Sequence, residues 1–220
     1  MVLLPGDYHD GVAVQGPAFF ADCCFCQWVD LVGVERMSES EETSPIAENR
    51  QQRKWSRSEL LGRVMWALVG PAFRWSPRLM WGWRRWLLRM FGAEVGRQVH
   101  IHPSATIFIP WNLKIGDWSS IGFDALIYNL GPVTIGERVT ISQRAHLCAG
   151  THDHRDPTMP LLKSFICIED DVWVCTDAFI GPDIIVRKGA IVGARSVVVR
   201  EVACKTVVAG NPAKPIGDRA

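Results

Sequence analysis

Aliphatic residues recur every six positions through the second half of the chain. The longest tract keeps this step from Ile168 to Val198, and three shorter tracts precede it. The residues on the step are Val95, Ile101 and Ile107; Ile115, Ile121 and Ile127; Ile135, Ile141 and Leu147; and Ile168, Val174, Ile180, Val186, Val192 and Val198. A period of six matches neither the two-residue period of a strand nor the 3.6-residue period of a helix. It indicates a solenoid, in which short segments stack and bury a continuous apolar column.

Three six-residue segments make one triangular turn that points its aliphatic side chains inward. Known hexapeptide coils are left-handed, an exception to the right-handed crossover rule. The predicted fold class is therefore all-β, a left-handed parallel β-helix of hexapeptide repeats with a short N-terminal α-helical region. A β-sandwich with chance spacing is the alternative, but six consecutive matches to one period argue against it. Many of the aliphatics are followed by a glycine, where we expect the chain to bend without a Cβ clash: Gly96, Gly116, Gly122, Gly136, Gly181 and Gly193.

Two helices are predicted before the coil. Ser58 can cap the first helix, whose apolar residues recur at three- and four-residue steps until Gly70 and Pro71 break the pattern. Pro77 precedes the second helix, which is predicted over 79–91 and ends at Gly92. These helices carry arginines on one side and Trp, Leu and Met on the other, so we expect the apolar side to pack against another surface.

Two partners fit these helices. Residues 53–91 contain nine Arg or Lys, one acidic residue and six of the ten tryptophans, a mixture typical of interfacial helices. The helices pack against the rest of the protein, or residues 55–91 contact an anionic membrane surface peripherally. No apolar run in this stretch reaches bilayer-spanning length.

The chain divides into four regions. They are a poorly ordered N-terminal extension (1–57), a basic Trp-rich helical segment (58–92), the β-helix with a loop at 149–165 (93–205), and a C-terminal tail (206–220). Met37 opens a polar run and is a candidate translation start. No secretory signal is evident, so we expect a cytoplasmic protein with reduced cysteines. Cys23 and Cys26 have redox or metal spacing, but no second pair at zinc spacing accompanies them.

The loop at 149–165 interrupts the coil and is rich in polar residues that can carry chemistry. It contains His152, Asp153 and His154 within four residues of Gly150. Loops that project from a rigid scaffold are where function concentrates. The net charge of +1 and the lack of a recognisable nucleic-acid module predict no nucleic-acid partner.

Over residues 58–216 the chain resembles the hexapeptide-repeat O-acetyltransferases. It is most similar to the branch associated with colanic-acid-type and other surface polysaccharides, which is related to galactoside and maltose acetyltransferases. The matching segments are Ile-Ser-Gln at 141–143, Thr-His-Asp-His-Arg-Asp-Pro at 151–157, the repeat tract from Val172, and Val-Ala-Gly-Asn-Pro-Ala-Lys at 208–214. The resemblance implies an acetyl-CoA-dependent O-acetyltransferase that acts on a hydroxyl of a sugar or oligosaccharide acceptor. It also implies a homotrimer with sites between neighbouring subunits, acetyl-CoA as co-substrate and no metal.

The resemblance assigns roles to individual residues near the loop. His152 matches the catalytic histidine, which removes the proton of the acceptor hydroxyl as that oxygen attacks the thioester. His154 is secondary, because the branch often has an aromatic residue there. Tyr128, Asn129 and Asp153 are similar to the segments that face the acceptor.

Further matches concern the donor. Trp173 and Thr176 match residues lining the pantetheine channel, and Ala194 offers a backbone contact. Arg200 and Lys214 match basic positions that meet the nucleotide phosphates, which are groups that Arg and Lys bind well. Three residues depart from the usual glycines after the repeat aliphatic: Glu169, Cys175 and Arg187.

Two other functions remain open at this point. The γ-type carbonic anhydrases use the same coil with three histidines on zinc, and the candidate ligands here are His100, His102, His146, His152 and His154. That family typically has two zinc histidines five positions apart, and none of these pairs has that spacing. The other alternative is a non-catalytic β-helix scaffold, in which His152 is a solvated loop residue.

Overall fold

A computed structural model describes residues 44–52 and 54–219. The predictions about Met37 and about Cys23 and Cys26 lie outside these residues. The described chain begins with three helices, and short strands make up most of the remainder. The helices are α1 (Pro45–Gln51), α2 (Arg57–Arg74) and α3 (Trp81–Met90).

The strands form three sheets that face one another around a triangular prism. Within these sheets the strands pair in parallel, except that the last strand pairs antiparallel with the one before it. Sheet A contains β1 (Glu94–Val95), β4 (Leu113–Ile115), β7 (Val133–Ile135), β12 (Ile166–Ile168) and β15 (Ile184–Val186). Sheet B contains β2 (His100–Ile101), β5 (Ser120–Ile121), β8 (Thr140–Ile141), β13 (Trp173–Val174), β16 (Ile191–Val192), β18 (Thr206–Gly210) and β19 (Ala213–Asp218). Sheet C contains β3 (Thr106–Ile107), β6 (Leu126–Tyr128), β9 (His146–Cys148), β14 (Phe179–Ile180) and β17 (Val197–Val198). The chain visits the sheets in the order A, B, C, so the predicted parallel β-helix is confirmed.

The aliphatic residues on the six-residue step form the core. Val174, Ile180, Val186 and Val192 are 0% exposed. Val174 lies in register with Ile141 in the coil before it and with Val192 in the coil after it. Like residues therefore stack along the prism axis and bury one continuous apolar column.

Glycine at the corner avoids a Cβ clash, as predicted, but at Gly116 the clash would be with the neighbouring coil and not a result of the local bend. The left-handed conformation falls two residues later, on non-glycine residues such as Trp118 (φ 62°), and not on Gly116. A Cβ added to Gly116 would lie 2.6 Å from the carbonyl carbon of Gly136 in the next coil. Glycine is needed at this position because neighbouring coils approach too closely for a side chain.

The first predicted helix has different ends from those expected. Ser56, not Ser58, caps α2, and a capping box joins it to Glu59. The helix continues through Pro71 to Arg74, because Phe73 is buried against the coil and the Pro71 carbonyl still accepts from the amide of Trp75. The second predicted helix corresponds to α3.

The segment before α2 also differs from the expectation. The sequence pattern predicts a poorly ordered chain up to residue 57, but Pro45–Gln51 form the helix α1. Asn49 of α1 is buried, because its side chain contacts the 149–165 loop.

One side of the helical segment packs on the first coils of the prism. Trp66 donates its indole N–H to the carbonyl of Ile107 at 2.9 Å. Arg84 is fully buried and donates to the carbonyls of Ile101, Pro77 and Arg78. Burial lowers the pKa of the Arg84 guanidinium, but its carbonyl partners satisfy the charge. Among residues 44–52 and 54–219, no helix combines the length and hydropathy that crossing a membrane requires.

Candidate functional site

A hairpin projects from the prism where the chain passes from sheet C to sheet A. Its strands are β10 (Gly150–His152) and β11 (Leu161–Lys163), which pair antiparallel with His152 opposite Leu161. The hairpin lies within the polar loop at 149–165. His152 stands at the outer end of β10 and its side chain is exposed.

The His152 ring is held by one backbone group. Its Nδ1 lies 2.7 Å from the carbonyl oxygen of Met159. A carbonyl only accepts, so in the neutral ring the hydrogen is on Nδ1 and Nε2 keeps its lone pair. This tautomer presents an unprotonated nitrogen to solvent, which is the arrangement that a general base requires. Sequence reasoning missed Met159, because its contribution is a backbone carbonyl that no side-chain pattern encodes.

The rest of the hairpin turn is ordered by local hydrogen bonds. The amide of Asp153 donates to the carbonyl of Pro160 at 3.1 Å, and its carboxylate accepts from the amide of Arg155 at 3.0 Å. Asp156 accepts from the amide and the hydroxyl of Thr158, and these hydrogen bonds hold the pKa of that carboxyl below its usual range. The carboxylate of Asp153 therefore stabilises the turn beside His152.

Of the two residues predicted on β6 and just after it, only Tyr128 is accessible. Tyr128 is half-buried, packs edge-on against Phe108 and lies beside Gly150 at the base of the hairpin. Asn129 is 0% exposed, and its amide bonds to the backbone of Phe108 and Ile109. The hydrogen-bonding groups of the Asn129 side chain are therefore used inside the coil, and the acceptor contact of Asn129 stays a prediction.

Four of the predicted donor residues lie on sheet B or at its corner with sheet C. Trp173 on β13 is 46% exposed, and its indole N–H donates to the hydroxyl of Ser142 at 3.0 Å. Thr176 follows β13 and donates to the carbonyl of Gln143, whereas Ala194 lies one coil further on, next to an amide that donates to Thr176. Lys214 is exposed on β19, which extends the same sheet.

Arg200 lies neither on sheet B nor at its corner with sheet C. It follows β17 of sheet C, at the corner between sheets C and A, and is exposed. This is the corner from which the His152 hairpin emerges. A single chain therefore carries His152 and Arg200 at one corner of the prism, and Trp173, Thr176 and Ala194 at or beside another.

Two of the three residues that replace glycine, Glu169 and Arg187, form an ion pair on the outer surface. Arg187 bonds to the carboxylates of Glu169 and Glu201 at 3.0 and 2.6 Å. Cys175 is partly buried, and burial raises the pKa of its thiol, so it remains protonated near neutral pH.

The five histidines that the structure describes are not grouped as a metal site. His100 and His102 lie on or beside sheet B, His146 lies on sheet C, and His152 and His154 lie on the hairpin. Over the described ranges, no three His, Cys, Asp or Glu side chains are grouped to hold a metal ion. Burial lowers the pKa of His146, which packs edge-on against Phe179. The zinc-enzyme alternative has no support in this arrangement.

Comparison with known proteins gives a consistent result, although no protein-family model matches the chain. The chain is 40% identical over 157 residues to the colanic acid biosynthesis acetyltransferase WcaF of Escherichia coli K12, covering 71% of this chain and 86% of that protein. It is 27% identical over 136 residues to the galactoside O-acetyltransferase of the same organism, covering 60% and 67%. Among solved structures, the hexapeptide-repeat acetyltransferase VCA0836 of Vibrio cholerae in complex with acetyl-CoA superposes with a TM-score of 0.68. The two chains are 24% identical, and the superposition covers 75% of this chain and 91% of the other. At this identity the match shows a similar fold.

Proposed function

The chain belongs to the family of the colanic acid biosynthesis acetyltransferases, and on that premise we propose that it acetylates a hydroxyl of a sugar or oligosaccharide during surface-polysaccharide biosynthesis. Its proposed donor is acetyl-CoA, because the relatives are acetyltransferases and a solved acetyltransferase of similar fold is bound to acetyl-CoA. The observation that carries the proposal is the hydrogen bond between His152 Nδ1 and the Met159 carbonyl. This bond leaves Nε2 free to accept a proton at an exposed position on a projecting hairpin.

The proposed reaction is a direct acyl transfer. His152 Nε2 removes the proton of the acceptor hydroxyl as that oxygen forms a bond to the thioester carbonyl carbon of acetyl-CoA. The tetrahedral intermediate then collapses, the carbon–sulfur bond breaks, and the thiolate of CoA takes the proton from the imidazolium. The products are an acetyl ester and free CoA, and His152 returns to its starting state.

The proposed donor site follows sheet B. The exposed face of Trp173 and the neighbouring Thr176 and Ala194 offer a wall for the pantetheine arm. Lys214 and Arg200 supply positive charge for the phosphates of the nucleotide. On the acceptor side, Tyr128 and Asp153 flank His152 at the base and at the turn of the hairpin.

A homotrimer accounts for the separation of these groups. Because His152 and Trp173 lie on different parts of one prism, a complete site requires the hairpin of one subunit against sheet B of the next. Threefold symmetry would build three equivalent sites in this way.

Mixed trimers test this arrangement. We expect His152→Ala and Trp173→Ala homotrimers each to be nearly inactive at low acetyl-CoA concentration. Random mixing of the two subunits should restore about one quarter of the sites, because those sites combine an intact His152 with an intact Trp173 from different subunits. The measurement is CoA release by mixtures that have been dissociated and reassembled. Activity that never exceeds the mean of the two homotrimers would show that one chain supplies both residues.

Membrane contact through residues 55–91 is also part of the proposal. Leu61 and Leu68 of α2 and Trp75, the residue that follows its last turn, lie seven residues apart and are 64, 70 and 83% exposed. Exposed arginines flank this row at Arg57 and Arg74. An apolar stripe with flanking cations fits the interface of an anionic bilayer.

Vesicle binding tests the membrane contact. We expect the wild type to bind vesicles that contain phosphatidylglycerol more tightly than vesicles of phosphatidylcholine alone. The double variant Leu61→Gln, Leu68→Gln should lose at least about tenfold in partition coefficient, because each leucine contributes about 1.5–3 kcal/mol when buried. Ile216→Gln, at a position that is 68% exposed on β19, is the matched control. Equal binding by the double variant and the control would contradict the contact.

The proposed activity itself is tested by acceptor-dependent release of CoA thiol. The purified protein is incubated with acetyl-CoA and a panel of nucleotide sugars and oligosaccharides. We expect release with at least one sugar acceptor. A protein that binds no acetyl-CoA and releases no thiol with any acceptor would instead be the non-catalytic scaffold.

A further inference from the structure

We propose that Asn49, on the helix α1 that precedes the basic helical segment and the coil, is a positioning residue for His152. The inference rests on the proposed function, in which His152 is the base. It concerns a contact between a segment outside the β-helix and the hairpin that carries the catalytic group.

Asn49 binds two consecutive carbonyl groups of the hairpin turn. Its side-chain Nδ2 donates to the carbonyl of Thr158 at 2.6 Å and to the carbonyl of Met159 at 2.8 Å. The two hydrogens of the amide are therefore both used. Asn49 is 6% exposed although α1 lies at the surface, so the contact is shielded from water. Hydrogen bonds that are shielded in this way are more costly to lose than exposed ones.

The Met159 carbonyl is shared between Asn49 and His152. It accepts from His152 Nδ1 at 2.7 Å as well as from Asn49, which together occupy its two lone-pair directions. The Met159 carbonyl therefore connects the side-chain amide of Asn49 to the imidazole ring of His152. A change in its direction would remove the bond that fixes the His152 tautomer.

The backbone at Met159 needs such an anchor. Met159 has a φ of 48°, in the left-handed region that is unfavourable for a residue with a side chain. Conformations of this kind persist only where surrounding contacts hold them. The amide of Met159 bonds to the Asp156 carbonyl, and Asn49 fixes the other side of the residue. Asn49 thus holds the Met159 peptide in the orientation that points its oxygen at His152.

The consequence is a defined tautomer at the catalytic residue. The hydrogen bond made by one ring nitrogen decides which nitrogen of a histidine carries the proton. Without the Asn49 anchor, the Met159 peptide can rotate, and His152 would then populate both neutral tautomers. Only the Nδ1–H form leaves Nε2 able to accept the proton of the acceptor.

Asn49→Ala tests the proposal, with Gln51→Ala as the matched control, because Gln51 is an exposed residue of the same helix. The first readout is the ring-nitrogen NMR spectrum of protein labelled with ¹⁵N-histidine, in which the His152 signals are assigned by their loss in His152→Ala. We expect the wild type and Gln51→Ala to show the Nδ1–H tautomer, and Asn49→Ala to show a mixture. The second readout is kinetic: kcat should fall about 10- to 100-fold in Asn49→Ala, with KM for acetyl-CoA changed by less than about twofold.

Asn49→Leu separates the lost donor from the lost volume. It keeps a side chain of similar size and removes both hydrogen-bond donors, so it should reproduce the tautomer mixture and the lower kcat. A lower melting temperature in both variants, with an unchanged tautomer and an unchanged kcat, would overturn the proposal and leave Asn49 a purely structural residue. The NMR readout needs no turnover. Full activity of His152→Ala would refute the proposed base, whereas the tautomer comparison would still report on Asn49.

Discussion

Replacement of His152 by alanine is expected to lower kcat by about 10² to 10⁴, the usual contribution of a positioned general base. The affinity for acetyl-CoA should remain unchanged, because the proposed donor contacts come from Trp173, Thr176 and Ala194 and from basic residues, not from the imidazole of His152. The acceptor hydroxyl would then have to lose its proton to water as it attacks the thioester. The measurement pairs steady-state CoA release with calorimetric binding of acetyl-CoA to the same preparation.

His154→Ala is the matched control for this variant. His154 is exposed on the same hairpin two residues away. We expect the kcat of His154→Ala to stay within about threefold of the wild type, because removing an exposed side chain that is not the base changes the stabilisation of the transition state only slightly. If His154→Ala lost as much activity as His152→Ala, the identity of the base would have to be reassigned. Unchanged kcat in His152→Ala would remove His152 from the mechanism.

Leu147→Ala is expected to lower the free energy of unfolding by about 2–5 kcal/mol, the range for deleting a fully buried leucine side chain. Leu147 is 0% exposed and lies in register with Ile127 and Ile180 in the neighbouring coils. The stacked coils on both sides limit collapse around the lost volume, so a cavity should remain in the apolar column.

Leu68→Ala on α2 is the control for the stability loss expected in Leu147→Ala. Leu68 is 70% exposed, so in solution this variant should lie within about 0.5 kcal/mol of the wild type. Urea unfolding followed by circular dichroism, at one fixed protein concentration, compares the two variants. Equal stability of Leu147→Ala and Leu68→Ala would contradict the assignment of the six-residue step to the core.

The fold was predictable because its repeat is encoded in the residue types that face inward. Each aliphatic on the step, such as Val174 and Val192, is buried as expected. The contact of Gly116 was harder to predict from the sequence. Its close neighbour is Gly136, twenty positions later, and the contact depends on the stacking distance between coils. The end of α2 was also mispredicted at Pro71, because burial of Phe73 outweighs the local preference of proline to end a helix.

The candidate site was predictable only in part. The composition of the hairpin and the family resemblance both pointed to His152, because chemistry-bearing side chains are visible in a sequence. The contribution of Met159 is a backbone carbonyl, which no residue type indicates. Asn49 lies 110 residues from Met159, in a polar stretch without periodicity. The burial of Asn129 could not be foreseen either, because polar side chains next to a repeat strand usually face outward, and this one bonds to backbone groups one coil away.

The most direct test of the account is the mass of the acceptor after incubation with acetyl-CoA and enzyme, with wild type and His152→Ala run side by side. We predict that the wild type adds an acetyl group to a sugar acceptor through an alkali-labile ester, and that the variant forms less than about one hundredth as much product. Equal product from the two proteins, or an alkali-stable amide as the only product, would contradict it.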